Sequence, residues 1–471
     1  MSNTRAIGAD ESYHTPYTRS LKTIKRPGAR IVRGALSYSL GEGAFAMITH
    51  GLVVTFAIPA LLSIGAGEMG VAALAGGYAL LCAAAQLSAP LIGARLESRR
   101  SLCFWAVVCQ AVACASFALT GFAPAEVAVV LAIAVYGAYG VCGHLSYSPW
   151  ASWMSDLVPK RIRSRHFAWR GLLLGALSGG VALSAGYSLR WSYGEPKSAP
   201  WAAFAFLFAL AGASRLVSAG LLRRQFEPPV RERPPVRDFS YLQFLSRVGR
   251  SNFANFAVCL AVMHGGSYMT YAFFQVYLVR DLGYDYGTFA LLPCCAMATS
   301  MLFVRFWGRV ADRWGNRTVL RLCTLSLATI PVFYLLPPAL PFFVIAHLLG
   351  GACWAGVNLA SFNYVMEAAT PKRRMRCYAY MMATMLMVMG ACTLAGGFVA
   401  AHVPLIFTYR LQTMFLVAAV LRGLPALVFP FVIKELSSKP PASARGIFWE
   451  LPMIRSTAGV SRYLAQTFKR I

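Results

Sequence analysis

At 471 residues, 58% of them hydrophobic and 13% charged, the chain is excluded from the ordinary soluble globular class. A net charge of +27 invites a nucleic-acid reading, yet 38 of the 44 Lys and Arg fall in the two tails and in alternate loops. That is the positive-inside pattern of an even-numbered helix bundle with both termini cytoplasmic, and it argues against nucleic acid as a partner while favouring anionic lipid headgroups.

Residues 1–33 are polar and basic, contain Pro16, Pro27 and Gly28, and read as a cytoplasmic tail with no cleaved signal peptide. Apolar runs of membrane-crossing length follow near 34–63, 69–94, 101–121, 126–151, 166–189 and 200–222. The segment 223–250 holds PPVRERPPVRD and reads as a linker without a folded insert. Six more runs lie near 251–279, 286–307, 318–337, 339–366, 377–401 and 408–433. The expectation is an all-α membrane protein of twelve transmembrane helices in two pseudo-symmetric six-helix bundles, 34–222 and 251–434. Residues 435–471 mix apolar and basic positions, which suits either an amphipathic helix on the cytoplasmic leaflet or a disordered tail. The twelve cysteines are scattered and form no C-x-x-C pair, so neither a metal nor a disulfide framework is expected.

Polar residues inside these runs are the candidate site. Glu42, in the first run, is the only one of 17 acids well inside an apolar stretch, with His50 deeper in the same run. A buried ionisable group is costly unless paired, so Glu42 reads as a proton or cation site, or as half of a structural pair with Arg215. His144 lies in the fourth run. In the seventh, His264, Tyr268, Tyr271 and Gln275 stand at i, i+4, i+7 and i+11, on one helix face that suits either cavity lining or packing. In the tenth, Trp354, Asn358 and Ser361 share a face, with Asn363 further round. An Asn inside a membrane helix needs another helix, water or a ligand as its partner.

The stretch VRFWGRVADRWGNRTVLR, 304–321, fixes Gly308, Asp312, Arg313, Gly315 and Arg317 within ten positions. Gly308 is expected to allow close helix approach, Gly315 to reverse the backbone, and Asp312 to cap the next helix or pair with an arginine. Gly93 and Glu97 repeat Gly308 and Asp312 at a spacing of 215, without the arginine and the second glycine. Further echoes pair Asp156 with Glu367, Pro159-Lys160-Arg161 with Pro371-Lys372-Arg373, and Phe208 and Arg215 with Phe415 and Arg422. Offsets of 207–215 indicate two parallel halves.

The 308–317 pattern resembles the loop signature of the major facilitator superfamily of secondary transporters. The strings FFQVYLVRDLGYDYG, GVNLASFN and WMSDLVPKRIRSR resemble a poorly characterised bacterial branch of it, loosely akin to sugar–cation symporters. The resemblance implies that the first, fourth, seventh and tenth helices surround a substrate path, that the 308–317 loop gates it, and that the protein is a monomer in the cytoplasmic membrane. The fifth run, with Gly171, Gly175, Gly179 and Gly180, is similar to the superfamily's exporter signature but lacks its proline. No phosphate-binding loop, catalytic triad or metal motif stands out, so the chain reads as no enzyme and as needing no cofactor. The expected function is proton- or sodium-coupled transport of a small solute. The alternatives are export of amphipathic compounds and a non-transporting receptor or assembly factor.

Overall fold

The computed structural model describes residues 28–95, 98–159, 162–194, 199–228, 239–368 and 374–432. These residues form helices and no strand. The first half comprises α1 (Ala29–Ser63), α2 (Glu68–Arg95), α3 (Arg99–Thr120), α4 (Ala125–Leu157), α5 (Arg163–Tyr193) and α6 (Trp201–Arg224). A short α7 (Tyr241–Leu245) precedes α8 (Asn252–Val276), which continues through a π-helical turn, Tyr277–Asp281. Then come α9 (Tyr286–Trp314), α10 (Asn316–Phe333), α11 (Leu340–Ala368), α12 (Arg374–His402) and α13 (Arg410–Val432). Ten of the helices are long and apolar enough to cross a membrane. α8 and α10, of 25 and 18 residues, complete a set of twelve through equivalent packing.

The internal repetition is written into that packing. α1 packs on α5 and α6, and its counterpart α8 packs on α12 and α13. α3 packs on α4 and α6, as α10 does on α11 and α13; α2 lies on α4 as α9 lies on α11. Two further pairs, α2 with α12 and α5 with α9, join the halves and exchange under the same symmetry.

Small residues set the closest approaches. Where α2 crosses α12, a Cβ on Gly390 would stand 2.8 Å from the Gly76 carbonyl oxygen, and one on Gly76 would stand 2.9 Å from that of Gly390. On α5, Gly175 and Gly179 face Met301 and Met297 of α9, whereas Gly171 and Gly180 face open space. Gly308 does not mark a close crossing: the nearest atom to a Cβ there is Leu359 Cδ2, at an ordinary 3.8 Å. Gly315 does reverse the chain between α9 and α10, with φ at +88°, a conformation that L side chains rarely adopt.

The linker differs from expectation at its end. Ser240 and Gln243 form a reciprocal capping box that starts α7 and seats Phe244 in the core. The expected tail also ends earlier than residue 33, because α1 begins at Ala29; residues 1–27 and 433–471, Glu97 and linker residues 229–238 lie outside the described residues.

Candidate functional site

Glu42 is 5% exposed and meets two arginines. Arg170 reaches in from α5, its Nη2 3.3 Å from Glu42 Oε2 and 3.2 Å from the Ser39 carbonyl, to which it donates. Arg215 of α6 places Nη1 3.7 Å from Glu42 Oε1, the oxygen that also accepts from Ser218 Oγ at 3.4 Å. Arg215 additionally donates from Nε to Gln110 Oε1 at 2.8 Å and from Nη1 to Ser218 Oγ at 2.9 Å. The Arg170 guanidinium lies over the Trp150 ring, 4.6 Å from its centroid. A side chain at Gly43 would collide with Arg170, so the glycine makes the approach possible. One carboxylate against two guanidiniums leaves a buried triad of net charge +1 that binds α1 to α5 and α6. Arg215 was foreseeable from the sequence; Arg170 was not, because it follows a run of loop arginines.

The aromatic and histidine residues gather nearer the junction of the halves. His264 packs on Trp354 at 4.6 Å between ring centroids, and Tyr268 lies 6.2 Å from Tyr271. Tyr136 of α4, within electrostatic range of Tyr268 and Tyr271, packs on Tyr78 at 4.8 Å and on Tyr139 at 5.9 Å. These three N-terminal tyrosines carry no sequence signal, since tyrosine in an apolar run reads as packing. His50 is exposed, with Nδ1 3.3 Å from Ser178 Oγ on α5; His144 is half-buried on α4. Gln275 is buried with Oε1 unsatisfied, whereas Tyr271 is 42% exposed. The four residues on the α8 face thus divide between enclosed and open positions.

On α11, Asn358 is exposed and Ser361 is buried with its hydroxyl unpartnered. Asn363 Nδ2 donates to Asn316 Oδ1 at 3.2 Å, and Asn316 Nδ2 donates to Glu367 Oε1 at 2.9 Å. That chain ties the start of α10 to the end of α11 and gives the Asn363 amide a partner on another helix. The first half has the equivalent tie: Arg99, opening α3, donates to Asp156 near the end of α4 at 2.7 Å. The echoed acids Asp156 and Glu367 therefore fasten the same helix pair in each half, at the end of the bundle that carries the basic loops.

At the opposite end the ion pairs cross between halves. Arg280, in the π turn, donates to Glu68 Oε1 at 2.8 Å and to its neighbour Asp281 at 2.8 Å. Arg190 of α5 lies 3.6 Å from Asp285, the residue that caps α9 by accepting from the Thr288 N–H at 2.9 Å. α1 also meets α8 and, through Phe56, touches Phe289 of α9 at 6.3 Å. α4 and α11, the pair related to α1 and α8 in the opposite sense, make at most marginal contact among the described residues. Two ion pairs thus join the halves at this end.

A profile of the Major Facilitator Superfamily matches residues 256–465. The match covers most of the second half, and the chain as a whole has the major facilitator superfamily fold. A solved D-xylose-proton symporter is similar at TM-score 0.64 and 14% identity, over 87% of this chain and 99% of that one. A bacterial homologue of the iron transporter ferroportin, in an inward-facing state, is similar at 0.64 and 15%, over 86% and 98%. The nucleoside transporter NupG is similar at 0.63 and 11%, over 84% and 98%. At these identities the likeness is one of fold. No curated protein sequence matches the chain.

The chain is a multi-pass membrane protein, and the residues of the 308–317 pattern can be placed on its fold. Gly308, Asp312 and Arg313 lie in the last two turns of α9, Gly315 is the reversal, and Arg317 opens α10. The Arg313 guanidinium stacks 4.8 Å from the Trp314 ring centroid. Gly93 lies in the last turn of α2, as the repeat requires.

Proposed function

We propose that the chain is a secondary active transporter that carries a small solute across the cytoplasmic membrane by alternating access, driven by a proton or sodium gradient. The observation that carries this reading is the one-sided clasp. Glu68–Arg280 and Arg190–Asp285 join the halves at the end remote from the basic loops, while α4 and α11 make at most marginal contact among the described residues. Alternating access needs two states in which a gate opens on one side only, and an asymmetric clasp across a symmetric pair of bundles is such a state. With the basic end cytoplasmic, as the distribution of Lys and Arg supports, the ion-paired end faces outward, which favours reading this state as inward-facing.

The solute path runs between the halves, past His50, His144, His264, Tyr268, Tyr271, Trp354 and Asn358. Ion coupling belongs to the Glu42 triad. Protonating Glu42 would leave Arg170 and Arg215 without their carboxylate, loosening α1 from α5 and α6. The protein works as a monomer, with its basic face against anionic headgroups.

The test is reconstitution. A thermal-shift screen against metabolite classes identifies a ligand that raises stability by binding the folded state. A carrier in proteoliposomes then accumulates that ligand under an imposed ion gradient. A receptor or assembly factor binds it without accumulation, and that result would overturn the proposal.

A further inference from the structure

Arg215 and Arg422 occupy equivalent places in α6 and α13, 207 residues apart. The first is saturated by Glu42, Gln110 and Ser218. Arg422 is 3% exposed, its Nε is buried without a hydrogen-bond partner, and no acid among the described residues forms an ion pair with it. Among the described residues of the second half there are only four acids, Asp281, Asp285, Asp312 and Glu367, all near helix ends. A buried guanidinium without a counter-ion is costly to keep, and the same chain shows at Arg215 what compensation looks like.

Arg422 instead borders a cavity of about 240 Å³ inside the second half, walled by α8, α9, α10, α11 and α13. Gly266 makes room for it: a Cβ there would stand 2.7 Å from Arg422 Cγ. The polar lining mixes donors and acceptors. Ser267 and Thr270 spend their hydroxyl hydrogens on the Met263 and Gly266 carbonyls, each at 2.9 Å, and His347 Nδ1 lies 2.8 Å from the Phe343 carbonyl, so these three offer lone pairs. Tyr271, Tyr334 and Trp354 bring further O–H and N–H groups to the same cavity, and no carboxylate lines it. A buried guanidinium without a counter-ion, beside a cavity that has O–H and N–H donors and no carboxylate in its lining, is complementary to an anion, and a planar guanidinium matches a carboxylate in particular.

We propose that this cavity binds the carboxylate of a small organic acid, with Arg422 as its counter-ion. Calling that acid the transported solute rests on the transporter reading; its binding does not. Aromatic walls, including Phe274 stacked 4.2 Å from Tyr334, favour an unsaturated or aromatic acid.

The experiment uses the purified full chain in detergent, with thermal unfolding as readout and no transport step, so failure here is distinct from failure of the transport proposal. The probes are benzoate, the neutral isostere benzamide and inorganic phosphate. Benzoate should raise the melting temperature, benzamide and phosphate should not, and Arg422→Gln should weaken benzoate binding by roughly ten- to a hundredfold. A second variant needs no ligand. Arg422→Met should leave the empty protein as stable as the parent or more so, because it removes an unmatched buried charge, whereas Arg215→Met should lower the melting temperature. Equal responses to benzoate and benzamide, no response to benzoate, or a preference for phosphate would overturn the carboxylate assignment. A loss of stability in Arg422→Met equal to that in Arg215→Met would make Arg422 structural and overturn the site.

Discussion

Arg170 and Glu42, 128 residues apart, meet at 3.3 Å in the interior of the first half, with their side chains 14% and 7% exposed. Breaking one partner of such a pair leaves the other buried and unmatched, at a cost of about 3–5 kcal/mol. Glu42→Gln should therefore destabilise the protein, and Glu42→Gln/Arg170→Gln should cost less than the sum of the two single changes. Thermal unfolding of the three variants checks this; strict additivity would mean that the pair does not act as a unit.

The same Glu42→Gln change addresses coupling. A neutral side chain fixed in place of a titrating one should abolish uptake driven by a pH gradient while solute exchange between equal solutions continues. Uphill transport at the parent rate would make Glu42 structural and move coupling to a histidine or to sodium.

Asp312 sits in the last turn of α9, at the basic end and away from the aromatic cluster. Asp312→Asn should slow transport while leaving equilibrium binding within a few-fold of the parent. A large loss of binding in a protein that unfolds normally would place Asp312 in the solute site.

The crossing of α2 and α12 is a contact that must slide or rock if the halves exchange states. Gly390→Ala would bring a methyl group 2.8 Å from the Gly76 carbonyl oxygen and 2.6 Å from Leu80 Cγ. Overpacking of this kind costs about 1–3 kcal/mol, so the variant should melt lower and transport more slowly. Gly308→Ala, which meets only Leu359 at 3.8 Å, is the matched control and should match the parent in melting temperature.

The helices were legible because membrane-length apolar runs and segregated arginines are long-range signals that survive without tertiary information. The lost detail is local. The fourth run was ended at residue 151, but α4 continues through Pro149 to Leu157. Arg170 follows Arg161, Arg163 and Arg165 in the sequence like one more loop charge, yet α5 begins at Arg163 and carries it two turns inward to Glu42. Counting turns from the start of that helix was the available signal. Asn363 needs a partner in a membrane helix, but nothing in the sequence says which, since Asn316 stands 47 residues away past a turn. The cross-half pair of Glu68 with Arg280 is separated by 212 residues and has no signature at all. Each residue by itself looks like an ordinary helix-end charge.

That pair is also where alternating access is most directly tested. Glu68 and Arg280 are partly exposed, and such a pair contributes about 0.2–1 kcal/mol. Two such pairs, the second being Arg190–Asp285, are enough to bias a near-balanced equilibrium by several-fold. Hydrogen–deuterium exchange of the parent and of Glu68→Gln/Arg190→Gln in lipid nanodiscs reads both ends of the bundle at once, without labels among twelve native cysteines. The account predicts reciprocal change: faster exchange in the 64–68 and 277–286 segments, and slower exchange where α4 and α11 approach the basic end. Faster exchange around the lost ion pairs with no response at the other end would be local loosening, and would contradict alternating access through this gate.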